Sequence, residues 1–201
     1  MSLRFRYRDL DTVRAEIDWM GRNRIKYVFN ADSNFGMASK ALLQKLVIPP
    51  TRIHRMEAER PNREAAASEY QAELARLSPP SQGGAGGGDP PALDLVLLGM
   101  GPDGHTASLF PHTTALKETK RWVVANFVPK FNAHRLTMTA PFLNRASNVL
   151  FLVAGADKAP VLAEVLEGPP DHDRLPSQMI QPSAGTLTWF VDEAAAAKLT
   201  K

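Results

Sequence analysis

The run Gly99-Met100-Gly101-Pro102-Asp103-Gly104-His105-Thr106-Ala107-Ser108-Leu109-Phe110-Pro111 holds the side chains best suited to chemistry. A histidine titrates near neutrality, so His105 can take a proton from water, while Asp103 can orient the ring or stabilise its charged form. Such a pair suits hydrolysis. Gly99, Gly101 and Gly104 let the backbone bend and approach a ligand closely. The pattern reads as strand, turn and short helix, which sets Asp103 and His105 just before a helix N-terminus whose amides attract anions. The same residues also fit a purely structural reading, with Asp103 as a helix cap and His105 as a hydrogen-bonded structural side chain. This is not a nucleotide fingerprint: Gly99-Met100-Gly101 runs into Pro102-Asp103-Gly104, one position off the dinucleotide pattern, and no P-loop lysine follows.

The elements that must position this turn can be read around it. Leu93 to Leu98 is a short Leu/Val run ended by Gly99, as expected of a strand buried on both faces in a parallel sheet. Ligands of open α/β sheets bind beyond the carboxyl ends of such strands, where this turn falls. Further strands are predicted at Ile25 to Phe29, Trp122 to Phe127, Arg135 to Thr139, Val149 to Val153 and Leu187 to Val191. The alternation in Arg135 to Thr139 fits an antiparallel strand near an edge. Helices are predicted at Phe35 to Leu46, Pro61 to Leu77, Ala159 to Leu166 and Glu193 to Leu199, with Asp157 and Asp192 capping the last two. Interleaved strands and helices predict an α/β fold: three Rossmann-like layers with a mostly parallel sheet flanked by helices. Residues 1–201 read as one domain, interrupted at 78–91 by a flexible Gly/Pro-rich loop.

Composition narrows the function classes. The chain of 201 residues is 44% hydrophobic and 22% charged, which excludes wholesale disorder. No apolar run approaches the roughly 20 residues of a membrane span, so no membrane partner is expected. Cysteine is absent, excluding disulfides, a thiol nucleophile and thiolate metal sites; with no secretory pattern at Met1 to Arg6, the chain reads as cytoplasmic. The net charge of +3 is uneven, with 12 Lys and Arg against 7 Asp and Glu in residues 1–60 and 12 against 14 thereafter. Those basic residues are dispersed and lack a binding motif, so no nucleic acid is expected. His54, His112, His134 and His172 show no metal-ligand spacing, so no metal site is predicted.

The whole run from Gly99 to Pro111 resembles the signature of the 6-phosphogluconolactonases, relatives in fold of the glucosamine-6-phosphate deaminases. The resemblance continues through Pro129-Lys130, Arg135-Leu136-Thr137-Met138-Thr139, Leu143-Asn144, Gly155-Ala156-Asp157-Lys158-Ala159, Leu175-Pro176 and Leu187 to Asp192. Upstream it includes Ile17-Asp18-Trp19, Asp32 to Ala38 and Ile53-His54-Arg55-Met56. It implies cofactor-free hydrolysis of a small sugar-phosphate lactone, 6-phosphoglucono-1,5-lactone, to 6-phosphogluconate in the oxidative pentose phosphate pathway. His105 would be the base with Asp103 in support. Gly101, Gly104, Arg135, Lys158, Ser33 and Asn34 would bind substrate, the two cations facing phosphate or carbonyl oxygen.

The sequence departs from the family pattern in two places. The usual N-terminal strand with its Ser-Gly-Gly-Ser-type phosphate-binding turn has no counterpart, and the Gly-Asp-Glu-Arg motif is not recognisable within Met20 to Ala31. This pattern fits a shortened or altered gene start, with Ile25 to Phe29 expected to substitute in the sheet. Two alternatives accompany the lactonase reading: a catalytically impaired sugar-phosphate-binding relative, and an aminosugar-phosphate deaminase.

Overall fold

The apolar run after Leu93 does form the strand that its composition predicts, and that strand organises the rest. A computed structural model of the chain describes residues 28–30, 52–76 and 90–200. In it β1 (Val28–Asn30), β2 (Leu95–Gly99), β5 (Asn148–Val153) and β6 (Thr186–Val191) form a parallel sheet in the order β1-β2-β5-β6. β2 pairs with β1 through Val28 opposite Leu95 and with β5 through Val96 opposite Val149. Leu95 to Leu98 are all buried, as a strand covered on both faces requires. β5 and β6 alternate instead. Their facing pair Phe151 and Trp189 stack with ring centroids 3.8 Å apart, a cross-strand contact that fixes register.

Helix α1 (Arg63–Arg76) starts after Asn62, whose side-chain oxygen accepts from Ala65 N at 3.0 Å; Pro61 therefore precedes the helix rather than opening it. α1 packs on a second sheet, the antiparallel hairpin of β3 (Val123–Val128) and β4 (Ala133–Met138), where Gln71 accepts from Trp122 N at 2.7 Å. The expected antiparallel strand is thus present, but it pairs with β3 apart from the parallel sheet. The reason is local. Pro129–Phe131 form a tight 3-10 turn and Asn132 takes left-handed backbone, φ 44°, which asparagine tolerates, so the chain doubles straight back.

α2 (Ala140–Leu143) leads into β5, α3 (Ala159–Glu167) follows it, and α4 (Glu193–Ala196) follows β6. Asp192 caps α4 as expected, accepting from Ala195 N at 2.7 Å. That helix ends at Ala196, short of the predicted Leu199. Asp157 does not cap α3: it sits in the 3-10 turn Ala156–Lys158, and Pro160 near the helix start has no amide to receive a cap. No helix among the described residues is long and apolar enough to cross a membrane. The predicted helix Phe35 to Leu46, the candidates Ser33 and Asn34, and the Gly/Pro-rich loop through Asp89 lie outside the described residues.

Candidate active site

Chain direction places the ends of β2 and β5 on one edge of the parallel sheet, and the chemistry gathers there. Beyond Gly99 the backbone folds into a closed corner: Gly104 N donates to Gly101 O at 3.0 Å and Gly101 N donates to His105 O at 2.9 Å. Gly104 has φ 76°, a left-handed conformation natural to glycine. Gly101 matters for a different reason. A Cβ there would lie 2.1 Å from both Cε1 and Nδ1 of His105, so only a hydrogen leaves room for the ring.

No helix follows His105, contrary to the expected strand-turn-helix. Thr106 and Leu109 instead form an isolated bridge around Ala107, whose φ of 51° is rare for a non-glycine residue, and the next helical turn begins only at Thr114. Left-handed backbone of this kind stores about 1 kcal/mol or more of strain and persists where the surroundings over-determine it. Here they do. Thr106 Oγ1 donates to Gly99 O at 2.8 Å, and Ser108 N donates to Thr137 Oγ1 at 3.2 Å. Asn126 Nδ2 donates to Ser108 O at 2.9 Å and to Thr113 Oγ1 at 3.1 Å, while Ser177 Oγ and N both donate to Gly104 O. These bonds replace helical ones, which is why no helix forms.

Asn126 is fully buried, so Asn126→Ala leaves Ser108 O unpaired and is expected to destabilise the fold by about 2 kcal/mol. A urea midpoint indistinguishable from wild type would show that the fastening is dispensable.

Within this frame His105 Nδ1 and Asp103 Oδ1 are 2.5 Å apart, and Lys130 Nζ donates to Asp103 Oδ2 at 2.7 Å. Burial alone would push the Asp103 carboxyl up, but its hydrogen bonds with His105 and Lys130 outweigh burial and hold it well below the usual carboxylate range. An ionised carboxylate only accepts, so the shared proton sits on Nδ1, which in the uncharged form of the ring leaves Nε2 as the acceptor. Phe110 stacks on the imidazole at 4.0 Å and 22°, and the ring remains 23% exposed. The dyad is oriented yet reachable. No helix stands there for Asp103 to cap, and a dyad oriented in this way is capable of general-base work.

The structure brings Asp103, His105, Gly101 and Gly104 together. The two glycines shape the corner and seat the ring. Strand alternation puts Arg135 on the same hairpin face as its partner Asn126 and as Thr137, the face turned to the His105 loop. Its guanidinium lies 5.9 Å from the Phe131 ring, which meets Phe110 edge-on at 5.5 Å, so two aromatic rings, Phe131 and Phe110, stand between Arg135 and the imidazole. Lys158 stands after β5, paired with the Asp157 carboxylate. Asp157 and Asp103 line one cavity of about 370 Å³ together with Pro102, Val161 and Arg174. Lys130, Phe110 and Phe131 are contributors that residue-type reasoning did not assign. The available signals were Phe110 within the Gly99–Pro111 run and Pro129-Lys130 among the family-like segments, both without a role attached.

Comparison with known proteins shows the family and the fold. The family model described as glucosamine-6-phosphate isomerases/6-phosphogluconolactonase matches residues 7–189. The chain is 43% identical over 169 residues to a protein of Nostoc sp. named 6-phosphogluconolactonase, covering 84% of this chain and 67% of that one. It is 39% identical to the human protein of the same name, covering 85% and 63%. The chain thus spans about two thirds of the length of these curated relatives. Among solved structures, 6-phosphogluconolactonase from Leishmania guyanensis superposes with a TM-score of 0.72 at 22% identity, covering 97% of this chain and 98% of that one, a likeness of fold.

Proposed function

The chain belongs to the family of glucosamine-6-phosphate isomerases and 6-phosphogluconolactonases, and on that footing we propose that it hydrolyses 6-phosphoglucono-1,5-lactone to 6-phosphogluconate. The observation that carries the reading is the Asp103–His105 bond, which leaves Nε2 free to act on water. His105 Nε2 takes a proton from water as the oxygen attacks the lactone carbonyl carbon, and the carbonyl electrons move onto oxygen. Collapse of that tetrahedral oxyanion breaks the bond to the ring oxygen, which receives the proton back from the imidazolium. The new carboxylic acid then loses its proton to solvent. Asp103, ionised throughout, stabilises the transient imidazolium.

In the same proposal Arg135 and Lys158 hold the anionic substrate, with Ser33 and Asn34 as further ligands, and the setting is cytoplasmic, supported by the cysteine-free sequence. Arg135 is supported by its hairpin face and by a buried Nε with no protein partner. Lys158 is supported by its place at the carboxyl edge of β5, one residue from the cavity that Asp103 also lines. Lys158→Ala is expected to raise KM about tenfold with a smaller change in kcat, since a contact remote from the reacting carbon contributes mainly to binding. An unchanged KM would take Lys158 out of the binding set.

The deciding experiment measures lactone opening against its spontaneous rate. Acceleration supports the enzyme; no acceleration together with a melting temperature raised by 6-phosphogluconate would make this a sugar-phosphate-binding relative instead.

A further inference from the structure

The two oxygens of Asp103 are divided between two partners, one in its own loop after β2 and one in the turn between β3 and β4. Oδ1 faces His105 Nδ1 at 2.5 Å and Oδ2 accepts from Lys130 Nζ at 2.7 Å, the lysine arriving from the β3–β4 turn. We propose that Lys130 is a charge-setting and positioning residue for the dyad, its ammonium limiting how far Asp103 favours the protonated imidazole and so keeping His105 available as a base. The catalytic meaning of this inference rests on the hydrolase reading; the electrostatics do not.

A carboxylate bonded to imidazole favours imidazolium, and an imidazolium cannot take a proton from water. Left alone, Asp103 would orient His105 correctly while biasing it toward the wrong charge. A cation on the far oxygen opposes that bias without disturbing the orienting bond. Three features separate Lys130 from an ordinary surface lysine. Its contact is short, its partner carboxylate is only 25% exposed, so solvent screens the pair less than on open surface, and its ammonium lies 5.6 Å over the Phe131 ring.

The other charges near the dyad are already engaged. Across the shared cavity Arg174 is paired with Glu164 at 2.6 Å and with Asp171 at 3.1 Å, and Asp157 is paired with Lys158. Arg135 approaches through Phe131 rather than Asp103. Among the described residues, Lys130 is the cation hydrogen-bonded to the dyad.

The test follows the His105 ring by NMR titration in the 201-residue chain, its resonance assigned by its loss in His105→Ala, with the acid limb of kcat/KM measured in parallel. Lys130→Gln keeps a donor but drops the charge and is expected to raise the His105 midpoint by about half a pH unit. Lys130→Arg keeps the charge and is expected to hold it within about 0.2 of a pH unit. Asp103→Asn removes the negative partner and moves it down, the opposite direction. The acid limb should follow each ring midpoint. A Lys130→Gln midpoint that stays put or falls overturns the inference, even with wild-type lactone turnover intact. The reverse result, midpoints moving as described while the wild type fails to open lactone, sinks the hydrolase reading and leaves the charge-setting role standing. Lys130 lies 55% exposed, and thermal melts confirm that each variant is folded before it is titrated.

Discussion

His105→Ala is expected to lower kcat on the lactone by about 10²- to 10⁴-fold while leaving the melting temperature nearly unchanged. The loss is large because in the proposed reaction the ring serves twice, accepting a proton as water attacks and returning it to the ring oxygen as the bond breaks. Stability is spared because the corner is held mostly by bonds that bypass the imidazole: Ser177 to Gly104 O, Thr106 to Gly99 O and Asn126 to Ser108 O. Asp103 keeps Lys130 as partner, so no buried carboxylate is stranded. Turnover within threefold of wild type would remove the imidazole from the mechanism.

Gly101→Ala is expected to be nearly as damaging, at least about 10²-fold in kcat/KM, although it touches no proton. The added methyl would sit 2.1 Å from two ring atoms and 2.8 Å from an Asp103 carboxylate oxygen, well inside contact distance. The imidazole must then swing away, giving up both the Asp103 bond and the stack on Phe110. Gly104→Ala differs in kind. Its penalty comes from a left-handed φ and from Leu175 at 2.8 Å, and it should appear in the urea midpoint as well as in turnover. Gly101→Ala retaining full activity would show that the ring tolerates displacement, and would weaken the argument from orientation.

Much of this architecture was legible in the amino-acid order because the signals were local. The unbroken apolar run before Gly99 marked the doubly covered strand β2, and Asp192 announced the start of α4. Asp103 and His105, two residues apart, advertised their own pairing. What local reading missed depends on tertiary neighbours. The expected helix after His105 gave way to side-chain bonds from Asn126, Thr137 and Ser177, none of which is near in sequence. Lys130 meets Asp103 only because the β3–β4 turn folds over it, and Arg135 reaches the site through Phe131. Asp157 failed as a cap because a preceding 3-10 turn and Pro160 changed the start of α3.

Apart from the local Thr106 bond to Gly99, the side chains that fasten the Gly101–Thr113 corner come later in the chain than the corner itself: Asn126, Thr137 and Ser177. During synthesis, therefore, the corner leaves the ribosome before its long-range partners, and the strained Ala107 has only local bonds beside it until those partners follow. The corner is thus completed late in the birth of the molecule, and a prematurely terminated product ending before Ser177 would contain the dyad in sequence without the bonds that Ser177 makes to Gly104 O.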